Sequence, residues 1–198
     1  VLPALHTLRL TGDIARASLS AIARQRSLVW LDLTVSRVVD GSLQLLAPLP
    51  RLTRLRADGG ALPKRSGLGA LTRLRWLRLN TSAEPWKPGQ KRRPFGVEKL
   101  IELRYLSIGF CKRSLRGLEK LKNLETLDLY PAHDVDRLEL LAGLKELKKL
   151  RSMELQGAPI GDADLLHLAK LGRLRFLGLR DTRVTDEGLV HLLKLPKL

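Results

Sequence analysis

The chain has 198 residues, a hydrophobic content of 44% and an aromatic content of 4%, so it is long enough to bury a core packed mainly by leucine. Its net charge of +16 favours acidic partners. A single cysteine excludes an internal disulfide framework and favours a reducing, cytoplasmic compartment, and no apolar run approaches the roughly 18 residues that span a bilayer.

The pattern L-x-x-L-x-L occurs eight times along the chain. The matches begin at Leu5, Leu28, Leu52, Leu74, Leu103, Leu124, Leu150 and Leu174, with spacings of 23, 24, 22, 29, 21, 26 and 24 residues. Within each match the second and third leucine positions alternate with other residues, which is the two-residue period of a strand with one buried face. The repeat predicts eight short parallel strands, centred near residues 8, 31, 55, 77, 106, 127, 153 and 177.

The remainder of each repeat favours a helix. In DLLHLAKL and DEGLVHLLKL the leucines recur at helical spacing. In four repeats an aspartate stands twelve residues after the repeat start: Asp40, Asp136, Asp162 and Asp186. We expect these short acceptor side chains to cap the first free N–H groups of the following helix. Because one repeat cannot bury its own leucines, we expect the units to stack into a continuous core.

These repeats resemble the leucine-rich-repeat family over essentially the whole chain. The last unit, LRFLGLRDTRVTDEGLVHLLKLPKL, is similar to repeats of about 24 residues in bacterial proteins and in the cysteine-containing subclass. The resemblance implies an α/β solenoid, a leucine-rich-repeat horseshoe with a concave parallel β-sheet and convex helices or 3₁₀ turns. It also implies a binding platform, because most family members are binding platforms rather than enzymes.

We expect residues 1–198 to form a single leucine-rich-repeat domain of about eight repeats. The chain begins close to its first repeat and stops on the next anchor, Leu198. Neither end shows the polar cap that isolated solenoids need for solubility. This pattern predicts that the domain belongs to a longer chain or that a partner covers an end.

The residues that alternate with the strand leucines are expected to point out of the concave sheet. Five of the chain's eight aromatic residues stand at these positions: Trp30, Trp76, Tyr105, Tyr130 and Phe176. Phe110 directly follows one such position. Trp, Tyr and Arg are enriched in binding hot spots, and leucine already fills the core. We therefore interpret these aromatic residues as partner contacts. The alternative is that neighbouring rings only stack on one another along the sheet.

Charge on the predicted concave face is segregated. The N-terminal half is basic, with Asp32 and Asp58 interleaved among Arg9, Arg54, Arg56, Arg75 and Arg78. An acidic patch further along is formed by Glu125, Asp128 and Glu154. Residues 1–100 carry a net charge of +12 and residues 101–198 a net charge of +4. A protein partner with an acidic surface fits this pattern, whereas the acidic patch would lie across the path of a nucleic acid.

The repeat that begins at Leu74 is the longest, and its surplus is the inserted loop 81–96. Insertions in repeat proteins map to loops on one side of the solenoid, often beside the binding face. Candidate contact residues in this loop are Trp86, Lys91, Arg92, Arg93 and Phe95. The alternative is a tolerated insertion, because lengthening a loop costs little free energy.

The sequence contains no glycine-rich phosphate loop, HExxH, paired CxxC or GxSxG, so we expect no catalysis, no cofactor and no metal. We predict a protein–protein interaction module that binds on its concave face and strand-edge loop. Such a module could be the recognition domain of a bacterial effector, immunity or sensor protein, and it could be cytoplasmic or a secreted or translocated effector. The basic charge would also fit a module that binds nucleic acid or an anionic surface, or a basic architectural subunit of a large assembly.

Overall fold

The computed structural model describes residues 5–34, 42–58, 67–80, 96–109, 114–130 and 136–198. Eight strands lie in these residues: β1 Thr7–Thr11, β2 Trp30–Thr34, β3 Arg54–Asp58, β4 Trp76–Asn80, β5 Tyr105–Gly109, β6 Thr126–Tyr130, β7 Ser152–Leu155 and β8 Phe176–Gly178. They form one open parallel sheet in chain order, each strand pairing with the next. Every predicted strand centre falls inside the corresponding strand, which confirms the predicted solenoid.

The repeat position fixes the register of the sheet. Leu31 pairs with Leu55, Leu55 with Leu77, and Leu77 with Leu106, so equivalent residues stack in columns. These four leucines are fully buried. A slip of one residue would turn a whole column of leucines towards solvent, and the leucine pattern therefore specifies the pairing strongly.

The convex side combines α-helices with 3₁₀ turns. The helices are α1 Arg16–Ile22, α2 Arg137–Leu144, α3 Asp162–Leu168 and α4 Asp186–Leu189, and the 3₁₀ turns are Ser42–Leu46, Leu68–Ala70, Leu118–Lys120 and Val190–Lys194. The three-residue turns follow β3 and β5, in the repeats of 22 and 21 residues. A 3₁₀ turn rises about 2.0 Å per residue against about 1.5 Å for an α-helix, so it completes a short repeat with fewer residues.

Leucines of the helices and turns share one buried core with the strand leucines. The helices and turns therefore cover one face of the sheet, and the opposite, concave face carries the residues that alternate with the leucines. No helix in the described ranges is long and apolar enough to cross a membrane.

The predicted aspartate caps are only partly confirmed. Asp136 precedes α2 and accepts the N–H of Glu139 at 3.0 Å. The prediction is wrong for Asp162 and Asp186, which are the first residues of α3 and α4 and so stand one position too late. Asp162 instead joins two repeats, because it accepts the N–H and the hydroxyl of Thr185, both at 2.8 Å. Asp40 lies outside the described residues.

A six-residue segment leads into each strand from β2 to β8. Each segment runs from four residues before the first leucine of the repeat to one residue after it. The seven segments are 24–29, 48–53, 70–75, 99–104, 120–125, 146–151 and 170–175, and the last residues of the chain, 194–198, follow the same pattern. Backbone hydrogen bonds join consecutive segments; for example, Arg75 N–H donates to the Thr53 carbonyl at 2.9 Å, and Arg104 N–H to the Arg75 carbonyl at 2.9 Å. The segments thus lie side by side along one edge of the sheet, which we call the entry edge.

Gly117→Ala is expected to lower the free energy of unfolding by about 1–3 kcal/mol. Gly117 precedes the 3₁₀ turn Leu118–Lys120 with a φ of 97°, and an added Cβ would lie 2.7 Å from the Cβ of Glu98 in the preceding repeat. Gly172→Ala is the matched control, since a Cβ there meets no atom within 4 Å. Urea unfolding measures both variants, and equal stabilities would contradict the role given to Gly117.

Candidate functional site

Arginine and aspartate alternate across β1 to β4 on the concave face. Asp32 is 1% exposed and accepts Arg9 Nε at 3.0 Å, with Arg56 Nη1 at 3.9 Å. Asp58 is also buried, and it pairs with Arg56 Nε and, at 3.7 Å, with Arg78 Nε. The N-terminal half of the face is therefore a ladder of buried carboxylates covered by guanidinium groups. The interleaved aspartates expected from the sequence are thus buried and paired with arginines of this face.

Two of the predicted contact residues, Arg56 and Arg78, form ion pairs in this ladder. The hydrogen bond to Asp58 raises the pKa of Arg56, although partial burial of the guanidinium opposes the shift. Arg56 and Arg78 keep about a third of their side chains exposed, 33% and 32%. Arg54 is exposed and has no ion-pair partner in the described part of the chain. Arg54 is thus the more available of the predicted arginine contacts on β3.

An aromatic cluster occupies the middle of the face. The rings of Trp76 and Tyr105 stack with centroids 4.9 Å apart and planes 7° from parallel. The Tyr105 hydroxyl donates to Asp128 Oδ2 at 2.8 Å, and the Arg78 guanidinium lies 6.0 Å from the centroid of the Tyr130 ring. The pKa of Tyr105 is raised to about 12, mainly by burial and to a smaller extent by the hydrogen bond to Asp128. Tyr105 therefore stays protonated at neutral pH and holds the stack in place as a hydrogen-bond donor.

Two carboxylates lie next to the aromatic cluster. Asp128 and Glu154 are paired residues of β6 and β7, and Glu154 extends across Gly178, where an added Cβ would lie 2.1 Å from a Glu154 oxygen. Burial, with a smaller contribution from Asp128, raises the pKa of Glu154. No cation pairs with Glu154 among the described residues. The two carboxylates therefore present unneutralised negative charge to a partner.

The predicted acidic patch is smaller than the sequence suggested. Glu125 precedes β6 and lies at the entry edge, where it contacts Arg104 at 3.3 Å and Arg151 at 3.9 Å. Its charge is thus shared between two arginines and does not add to that of Asp128 and Glu154. The sequence placed it in the patch because position in the repeat alone does not separate the strand from the segment that enters it.

Glu154→Gln is expected to raise the Tm near pH 7 and to give no gain below about pH 4. Because the pKa is raised from its ordinary 4.5, the native state binds this proton more tightly than the unfolded chain. The contribution of Glu154 to stability therefore falls as the pH rises through the window between the two pKa values. Glu187→Gln, on the exposed surface of α4, is the control, and a gain that does not depend on pH would contradict this interpretation.

The structure brings together four of the predicted contact residues, Trp76, Arg78, Tyr105 and Tyr130, on β4, β5 and β6. Trp30 is two strands from Trp76, and its Nε1 is buried without an acceptor in the described residues. Phe176 is 54% exposed on β8, three strands from Tyr105. The remaining predicted contacts lie outside the described residues: Trp86, Lys91, Arg92, Arg93, Phe95 and Phe110.

Within the described ranges, no group of three His, Cys, Asp or Glu residues is placed to hold a metal ion. The site offers groups for non-covalent contact. Its stacked rings present apolar faces, its guanidinium groups present donors, and its two unpaired carboxylates accept a cation.

Solved structures with the same arrangement of repeats define the fold. Internalin C2 of Listeria monocytogenes has a TM-score of 0.64 and 20% identity over 94% of this chain and 74% of its own. A leucine-rich-repeat protein of Leptospira interrogans has a TM-score of 0.63 and 20% identity over 98% of this chain and 53% of its own. The chain has the leucine-rich-repeat fold.

The Arabidopsis receptor kinase HAESA, solved with the peptide hormone IDA and the co-receptor SERK1, has a similar leucine-rich-repeat structure. Its TM-score is 0.65, and the match has 18% identity over 92% of this chain and 31% of the receptor. This chain thus spans about half the length of the matched Leptospira protein and about a third of the length of the plant receptor. No protein-family profile matches the sequence, and no curated protein matches it.

Proposed function

We propose that this leucine-rich-repeat chain is an interaction module, not an enzyme, that binds an extended segment of a protein partner on its concave face. The observation that carries the proposal is the Trp76–Tyr105 stack, which lies on the face opposite the helices. Rings that are ordered before binding supply contact area at a low entropy cost, and such residues dominate the energy of interfaces. Arg78 and Tyr130 extend the same surface towards the ends of the strands.

The similar structures support a peptide-like partner. HAESA is a receptor kinase with the same fold, and its structure contains a peptide hormone. The similar structures from Listeria and Leptospira support our further proposal that this chain is the recognition domain of a bacterial effector, immunity or sensor protein. The leucine-rich-repeat fold is typical of interaction modules.

The charges on the face favour a partner of mixed polarity. Arg54 is exposed at the start of β3 and is available to a carboxylate of the partner. At the other side of the aromatic cluster, Asp128 and Glu154 are available to a lysine or an arginine. We therefore propose that acidic groups of the partner meet the β3 side and that a cationic group meets β6 and β7, an arrangement that fixes the direction of the bound segment.

The inserted loop 81–96 is part of the proposed surface. The residue before it, Asn80, ends β4 at the same side of the sheet at which Tyr130 ends β6. Deletion of 82–95 is expected to weaken binding of the partner segment. If the deletion leaves binding unchanged, the loop is a tolerated insertion and the contact surface is limited to the sheet.

A random peptide library displayed on phage tests the proposed function directly. The library is panned on the wild-type chain without counter-selection, and the recovered peptides are then assayed on Trp76→Ala and Ile101→Ala. Ile101 is an exposed apolar residue, 54% accessible, on the entry edge, so its variant is a matched control. Peptides that bind the wild type and the control but lose about tenfold or more on Trp76→Ala support the proposal. Recovery of peptides that bind all three proteins equally would overturn it.

A further inference from the structure

The net charge of the chain is concentrated at the entry edge. Its eight segments contain 17 of the 36 Lys and Arg residues but 3 of the 20 Asp and Glu residues, a net charge of +14. The rest of the chain contains the other 19 basic and 17 acidic residues, a net charge of +2. The positive charge therefore follows one edge of the sheet through successive repeats, in both halves of the chain.

The fold holds these charges in a regular row. In segment 70–75 the buried side chains of Leu71 and Leu74, 4% and 0% exposed, alternate with Arg73 and Arg75, which are exposed. The backbone ladder continues along the edge, for example from Arg175 N–H to the Arg151 carbonyl at 2.8 Å. Since neighbouring strands lie about 4.8 Å apart, equivalent positions of the segments recur at about that spacing on a backbone that is fixed before any ligand arrives, and most segments place two or three basic side chains there.

Most of the edge cations have no carboxylate within 4 Å in the part of the chain that the structure describes. In the described residues, carboxylates lie within 4 Å of three of them: Glu125 contacts Arg104 and Arg151, and Glu146 contacts Lys122. Three concave arginines, Arg9, Arg56 and Arg78, differ, because they pair with Asp32 and Asp58. A row of unpaired cations repels itself, and binding a polyanion relieves this repulsion and releases counterions.

Aromatic residues border the row at the points where strands begin. An edge arginine directly precedes an aromatic first strand residue in β4, β5 and β8, as Arg75-Trp76, Arg104-Tyr105 and Arg175-Phe176. The carboxylates of Asp128 and Glu154 are the third residues of their strands and so lie off the line of the edge. A positive track flanked by ring faces is the arrangement that binds single-stranded nucleic acid, because phosphates follow the cations and bases stack on the rings.

We propose that the entry edge binds the backbone of a single-stranded nucleic acid. A single strand can follow a row of cations and turn its bases onto the adjacent rings, whereas the bases of a duplex are already stacked on one another. The cations of this site lie outside the concave contact set of the proposed function, but the rings of Trp76 and Tyr105 are shared with it. The edge variants described below change cations alone, so either proposal can fail without the other.

Fluorescence anisotropy with labelled oligo-dT of about 20 nucleotides tests the proposal, with a duplex of equal length, phosphatidylserine vesicles and polyglutamate as comparators. Oligo-dT is expected to bind most tightly, with log K falling against log salt at a slope of about −3 to −5, as counterion release from several phosphates requires. Binding of the duplex, the vesicles or polyglutamate at least as tightly as oligo-dT would overturn the choice of ligand.

A matched pair of double variants tests the choice of surface. Arg173→Glu with Arg175→Glu changes the entry edge, and Arg180→Glu with Arg183→Glu makes the same charge change in the same repeat after β8. The edge pair is expected to weaken oligo-dT binding about tenfold or more and to reduce the salt slope by about 1.4, while the control pair changes affinity by no more than about twofold. Equal losses in the two pairs would show that net charge alone attracts the nucleic acid and would overturn the edge as its site. Circular dichroism confirms that each variant is folded.

Discussion

Trp76→Ala weakens the binding of a peptide selected on the wild-type chain by about 1–4 kcal/mol and leaves the protein folded. The ring lies 4.9 Å from that of Tyr105, and its removal takes away both a contact surface and one wall of an ordered stack. The hydrophobic core is expected to stay intact, because the neighbouring Leu77, and not Trp76, is the side chain buried in it. Isothermal titration calorimetry measures the affinity, and thermal unfolding measures the stability.

Phe176→Ala is the control for Trp76→Ala. Phe176 is an aromatic residue of the same sheet, 54% exposed, but it lies on β8 and is remote from the stack. Its replacement is expected to change the affinity much less. If Trp76→Ala has no effect while Trp30→Ala or Arg54→Ala weakens binding, the contact surface lies on β2 and β3 and the assignment of its centre to β4 and β5 is wrong.

Asp164→Ala is expected to lower the free energy of unfolding by about 2–4 kcal/mol at neutral pH. Asp164 is 2% exposed on α3, accepts two hydrogen bonds from the Arg137 guanidinium of α2, and accepts the N–H of Gly161 at 2.9 Å. The variant would leave the Gly161 N–H without this acceptor and break the link between two repeats. Because a solenoid is stabilised by contacts between neighbouring repeats, the effect is transmitted to the stacking of the array. Chemical unfolding followed by circular dichroism measures it.

The effect of Asp164→Ala should depend on pH. Burial acts to raise the pKa of Asp164, but the Arg137 hydrogen bonds and the Gly161 N–H prevail and hold it below the ordinary 3.8. A carboxyl with a lowered pKa stabilises the fold above its ordinary pKa, and this stabilisation is lost as the pH falls through the lowered value. The difference between wild type and variant should thus shrink in acid. Asp13→Ala, an exposed aspartate, is the control, and a similar loss there would contradict the assigned role.

The leucines made the fold predictable from the sequence. Each strand places a leucine or a close substitute in the column that begins with Leu8, and Met153 takes this place in β7 without disturbing the pairing. The aspartate caps were harder to predict, because one residue decides whether a side chain precedes a helix, as Asp136 does, or begins it, as Asp162 does. Repeat spacing predicts the element but not its first residue.

The sequence predicted the members of the aromatic cluster, and stacking of neighbouring rings was the alternative to partner contact; the hydrogen bond from Tyr105 to Asp128 was not predicted. Alternation alone placed Trp76 and Tyr105 on the open face, and the in-register pairing then made them neighbours. The burial of Asp32 and Asp58 was not predicted. For Asp32 a signal existed, since arginine and aspartate alternate through one column of the repeat from Arg9 to Arg56. Counting charges on a face cannot separate a paired arginine from a free one, and the depth of a carboxylate depends on the long side chains around it.

Photo-crosslinking of a library-selected peptide to the wild-type chain tests most directly whether the concave face is the binding surface. The peptide carries a benzophenone residue at successive positions, and mass spectrometry maps the sites where it attaches to the protein. We expect attachment to Trp76, Arg78, Tyr105 and Tyr130 on the concave face, lost when unlabelled peptide is added in excess. Attachment confined to the convex helices, such as α2 and α3, would contradict binding on the concave face.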